Sequence, residues 1–135
     1  MLRSACIYTA PNPHHGKRIS IMSRHTDNTG NVPDPNIVPG VSYDLWWKEL
    51  SPLGTTVGPY HRGEIDFAQL TKEYLERLCS DPASVARVQE LIRLAGEQDV
   101  TVLCQEPTPQ AHQCHRSVLL VHCAELYPSL EIDIL

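Results

Sequence analysis

Apolar and polar positions alternate in patterns that divide this chain into strands and helices. Lys17 to Ser23, with Ile19, Ile21 and Met22, predicts a strand. A shorter strand is expected from Ser4 to Tyr8, closed by Pro11-Asn12-Pro13, with His14-His15-Gly16 as the turn. Phe67, Leu70, Tyr74, Leu75 and Leu78 recur at helical spacing behind Asp66, and Gln69 stands where a capping box needs it. Val85, Val88, Leu91, Ile92 and Ala95 form a second helical stripe, opened by Asp81 and Pro82 and stopped by Gly96. Val100 to Cys104 reads as a strand buried on both faces of a parallel sheet. A helix from about Cys114 to Tyr127 is apolar all round except for His115, His122 and Glu125, which predicts deep burial. Leu130 to Leu135 alternates as a half-exposed edge strand does.

Between these elements, Arg24 to Gly40 is a long loop leaving the carboxyl end of a strand, where ligands collect in open parallel sheets. Tyr43 to Leu50 predicts a short helix with Trp46, Trp47 and Leu50 on its apolar face, stopped by Pro52 and Gly54. Gly58 to Gly63 carries turn residues. The order of elements predicts an α/β fold: one domain over residues 1–135, with a small, mostly parallel central sheet flanked by helices. Val100 to Leu135 is expected to form a right-handed crossover.

Composition narrows the function classes. At 41% hydrophobic and 20% charged residues the chain has material for a core. A formal net charge of -5 makes its surface a poor general polyanion binder, so nucleic acid or any other anion needs a local basic pocket. The longest apolar run, Val118 to Val121, falls far short of the roughly 20 residues that cross a bilayer, and the first residues lack a signal peptide's apolar stretch. No membrane partner is expected. Five scattered cysteines argue for a reducing compartment, hence the cytoplasm. Cys6, Cys79 and Cys123 read as core residues.

The strongest candidate chemistry lies at Leu103-Cys104-Gln105-Glu106 and Cys114-His115-Arg116. A helix start presents unpaired N–H groups and the positive end of the helix dipole, which favours a thiolate or a bound anion. Arg116 adds charge, and Cys104 ends a strand that faces the same crevice. Cys114 and His115 are the candidate catalytic pair, although on a continuous helix adjacent side chains diverge by about 100°. His112 or His25 would then serve better as the base. The Cys104-to-Cys114 spacing is too wide for a zinc ribbon, so no metal site is assigned. A site of Cys104, His112 and Cys114 with one further donor stays open. Arg24 is placed to complete a two-arginine clamp, or to pair with Glu106. Trp46 with Lys48 is a candidate stacking surface for a flat ligand.

Several segments carry a resemblance. Arg18-Ile19-Ser20-Ile21-Met22-Ser23-Arg24, Asp44-Leu45-Trp46-Trp47-Lys48-Glu49-Leu50-Ser51-Pro52, the Phe67, Tyr74 and Leu78 helix, and Val100-Thr101-Val102-Leu103-Cys104 with Cys114-His115-Arg116 together resemble the family of domains of unknown function 488. The match spans roughly residues 17 to 135. The resemblance implies a small α/β domain and groups Cys104, Cys114, His115 and Arg116 in one motif, with Trp46, Lys48 and Arg24 as lesser members. It implies no particular reaction, substrate or cofactor. Leu53 stands where a serine is expected, and His25-Thr26-Asp27 replaces a longer segment.

Three readings follow. The first is a crevice for a small anionic ligand or nucleotide at the Cys104 strand end and the Cys114-His115-Arg116 helix start. The second is a thiol- or metal-dependent site at Cys104 and Cys114. The third is a non-catalytic interaction domain, with a homodimer formed through the Leu130 to Leu135 edge.

Overall fold

The computed structural model describes residues 1–26, 31–106 and 114–133. Its strands are β1 (Leu2–Cys6), β2 (Lys17–Ser20), β3 (Leu45–Trp46), β4 (Val100–Cys104) and β5 (Ile132–Asp133). Its helices are α1 (Gly54–His61), α2 (Phe67–Ser80), α3 (Pro82–Glu97) and α4 (His115–Leu126). The strands form one sheet in the order β3-β2-β4-β1-β5, and every pairing is parallel. The α/β architecture is the one expected.

Burial follows the periodicity. All five residues of β4 are buried, as a central strand with apolar side chains on both faces requires. Leu2, Ile19, Val100 and Val102 pack in one cluster with Tyr74, Leu78, Val88, Leu91, Leu119 and Leu120, which places a helical layer on that face. Ala5, Ile7, Met22 and Leu103 pack on the other face against Ile37 and Tyr43 from the loop segments. The Asp66 carboxylate accepts from the Gln69 N–H at 2.9 Å and so starts α2. Gln69 turns its amide to Glu73 instead of closing the capping box. Asp81 starts α3 in the same way through the Ala83 N–H.

Three expectations change. Tyr43 to Leu50 is not a helix: Leu45–Trp46 pairs with Ile19 and Ser20 as β3, and Lys48–Leu50 makes one 3₁₀ turn. Pro52 leaves no room for a helix to propagate, whereas β2 offers an open edge whose backbone groups need partners. Gly54–His61 is a helix despite Gly58 and Pro59. Its Thr56 hydroxyl donates to Glu73 of α2 at 3.0 Å, so tertiary contact overrides weak propensity. Cys79 is exposed and is not a core residue. Strand ends also differ: β1 begins at Leu2, and β2 stops at Ser20.

The topology positions the site. The chain leaving β1 passes β4 to reach β2, while the chain leaving β4 passes β1 to reach β5. The chain leaving β2 turns outward to β3 while that leaving β4 goes the opposite way, so connections diverge between neighbouring β2 and β4, the switch point where open parallel sheets bind ligands. Cys104 ends β4 there and is the register partner of Cys6 at the end of β1.

Candidate functional site

Cys104 ends β4 and packs in the cluster with Leu103 and Cys114, with its sulfur turned to Arg116 at the start of α4. Cys114 is the N-cap of that helix, with extended backbone at φ -117 and ψ 147. Its carbonyl accepts from both the N–H and the hydroxyl of Ser117, at 3.1 and 2.8 Å. The cap is thus held through the main chain, and the Cys114 sulfur is left to face Cys104. The two sulfurs are in contact, while the Cα atoms stand 7.9 Å apart. A relaxed disulfide holds its Cα atoms within about 6.8 Å, so the backbone holds this pair wider than a relaxed bond does.

His115 opens α4, and its Nε2 lies 2.9 Å from the Ile21 carbonyl. A carbonyl only accepts, so Nε2 carries the proton and Nδ1 keeps its lone pair. That lone pair lies 3.7 Å from the Cys114 sulfur. The expected divergence of Cys114 and His115 does not occur, because Cys114 sits outside the helix with a strand-like backbone. Burial pushes the imidazole down to about 4; the Ile21 hydrogen bond opposes this, and nearby Arg116 adds to it. The ring is neutral at pH 7.

Arg116 is fully buried. Its Nη1 donates to the Cys104 sulfur at 3.2 Å and to the Glu106 backbone carbonyl at 2.6 Å. Its Nε is buried and has no partner among the described residues. Among those residues it makes no ion pair. Burial pulls the guanidinium below its ordinary value, with Cys6 and Glu106 pulling the other way.

The family model described as the active DUF488-N3 subclade matches residues 2–125. The chain belongs to the DUF488 family. No curated protein and no solved structure matches it.

In this DUF488 chain, Cys104, Cys114 and His115 each offer a ligand atom, all within 4.8 Å of one another, as one coordination shell requires. His112 lies outside the described residues. Glu106 meets Arg116 through its carbonyl oxygen rather than its carboxylate. Arg24 is exposed, with no hydrogen bond or ion pair among the described residues, whereas Arg116 is buried.

Trp46 and Lys48 belong to a second cluster at the ends of β2 and β3. His25 stacks on Trp46 at 3.8 Å between ring centroids, and the Lys48 ammonium lies 4.3 Å from the same ring. Trp46 donates its indole N–H to the Met22 carbonyl at 2.7 Å. The ring surface expected to stack on a flat ligand is thus already engaged. His25 bonds through Nε2 to the Ser20 hydroxyl at 2.7 Å, and burial, aided by Lys48, pushes it down to about 4.

Sequence reasoning missed two members of the site. Cys6 lies beside Cys104 by register and is half-buried, not core. Its place at the end of the first strand, in step with Leu2 and Ser4, was the available signal. The Ile21 carbonyl, which fixes the His115 tautomer, carried none. Among the described residues no helix is long and apolar enough to cross a membrane.

Proposed function

We propose that this DUF488 chain holds a small anionic ligand beside Arg116, at the carboxyl end of β4 next to the switch point between β2 and β4, with the Cys104 and Cys114 sulfurs as its reactive neighbours. A phosphate-bearing compound such as a nucleotide fits that description. The observation that carries the reading is the fully buried guanidinium, whose contacts among the described residues are one sulfur and one neutral carbonyl. Withdrawing a cation from water costs several kcal/mol, and removing one partner from a buried ion pair is strongly destabilising. Arg116 stands in that position unless an anion completes it. The start of α4 adds the positive end of its dipole on the same side. The description of the matching subclade as active supports a site that does chemistry.

Calorimetric titration with inorganic phosphate, then with a mononucleotide, tests the reading. The reduced protein should bind at one site. Arg116→Met should weaken binding by about 10- to 100-fold, the worth of one or two charge-assisted hydrogen bonds. Equal affinity in both proteins would remove Arg116 from the site and with it the reading.

A further inference from the structure

We infer that Cys104, Cys114 and His115 form a three-ligand site for a zinc-class divalent cation, with the fourth position open to the anion that Arg116 attracts. The inference rests on the anion reading above for the occupant of that fourth position, but the metal ligands stand on their own geometry. Three donors of the types that select zinc converge within 4.8 Å. The two sulfurs face each other from a strand end and a helix cap, two separate and firmly held elements. The third donor is oriented for the task. Metal-bound histidines characteristically donate their second ring N–H to a carbonyl or carboxylate, which fixes the tautomer. His115 does this to Ile21 at 2.9 Å and turns Nδ1 towards the sulfurs.

Charge counting adds a second argument. A divalent cation with two thiolates and a neutral imidazole is neutral overall. The guanidinium 3.2 Å from the Cys104 sulfur then leaves one positive charge in a buried setting. An anionic oxygen at the open position, phosphate or carboxylate, neutralises it. Arg116 acts here as a positioning residue: its N–H group donates to a ligand sulfur and favours the anion without binding the metal. The inferred set differs from the spacing-based alternative in using His115 as a donor. Three protein ligands and one open position are the pattern of catalytic rather than structural zinc sites.

The test uses the full-length protein, reduced and freed of metal with a chelator, then titrated with Co²⁺ and with Zn²⁺. The expected result is one Co²⁺ per chain, with thiolate-to-cobalt charge-transfer bands and the intense visible bands of tetrahedral cobalt. Zn²⁺ should displace it. Cys104→Ser and Cys114→Ser should each abolish the charge-transfer bands, and His115→Gln should weaken binding at least 10-fold. Cys79→Ser should change nothing.

If a serine variant fails to fold, protection of the wild type gives the answer. Zn²⁺ should block alkylation of Cys104 and Cys114, read peptide by peptide, and leave Cys79 labelling at its metal-free rate. No cobalt uptake, or unchanged spectra in Cys104→Ser, overturns the inference. A protein that takes up no metal but binds phosphate through Arg116 also overturns it and leaves the anion reading standing. A protein that binds cobalt through the three ligands and ignores phosphate supports the metal site and ends the anion reading.

Discussion

Replacing Arg116 with methionine separates a residue kept for a ligand from one kept for the fold. The two roles predict opposite signs for stability. Arg116 is fully buried, and among the described residues it lacks a carboxylate. The substitution removes the desolvation cost of the cation, several kcal/mol for a buried ion. It also forfeits the contacts to the Cys104 sulfur and the Glu106 carbonyl. Glu106 is only partly buried, so water can take over at its carbonyl and the loss there stays near the low end, about 1 kcal/mol. Methionine follows the aliphatic stem and leaves a small void at the guanidinium position. The sum is a ligand-free protein that is unchanged or more stable by about 1 kcal/mol. That corresponds to a Tm rise of about 3–5 °C for a domain of this size.

Urea unfolding in reducing buffer, free of phosphate and sulfate, measures this sign. Phosphate at about 100 times the wild-type Kd should then raise wild-type stability by about 2.7 kcal/mol and that of Arg116→Met by only about 0.4–1.4 kcal/mol. A ligand-free loss of more than about 3 kcal/mol in the variant would identify Arg116 as a structural brace. The argument for an anion would then fail.

Three further outcomes follow from other parts of the fold. His25 is held neutral, with its folded value near 4 and an unfolded one near 6.5. Its contribution is complete above about pH 6.5 and is lost as pH falls towards 4, by at most about 3 kcal/mol. His25→Gln should flatten the dependence of the urea midpoint on pH between those values, and an unchanged slope would contradict this. Gly16 has φ +59, and a Cβ there would lie 2.0 Å from the Asp99 carbonyl oxygen. Gly16→Ala should therefore cost at least about 2 kcal/mol, and a loss under about 0.5 kcal/mol would refute the packing argument. Alkylation followed by mass spectrometry should label exposed Cys79 first. It should label Cys123 last, because that thiol is fully buried and is pushed up to about 12; early labelling of Cys123 would contradict the α4 packing.

The sequence by itself determined the elements whose signal is local. The stripes of α2 and α3, their Asp66 and Asp81 caps, and the buried run of β4 could be read because periodicity and capping act within a few residues. The strand end at Cys104 and the helix start near Cys114 were legible for the same reason. Tertiary structure alone decided the rest. The segment from Tyr43 to Leu50 became β3 and a turn because β2 offered it an edge, and α1 formed because α2 received its Thr56. The parallel register brought Cys6 beside Cys104 across nearly a hundred residues. The Ile21 carbonyl chose the His115 tautomer, and packing withdrew the Arg116 guanidinium from water and set it against the Cys104 sulfur. These outcomes depend on which surfaces meet and on how much water is excluded when they do, and a linear pattern encodes neither.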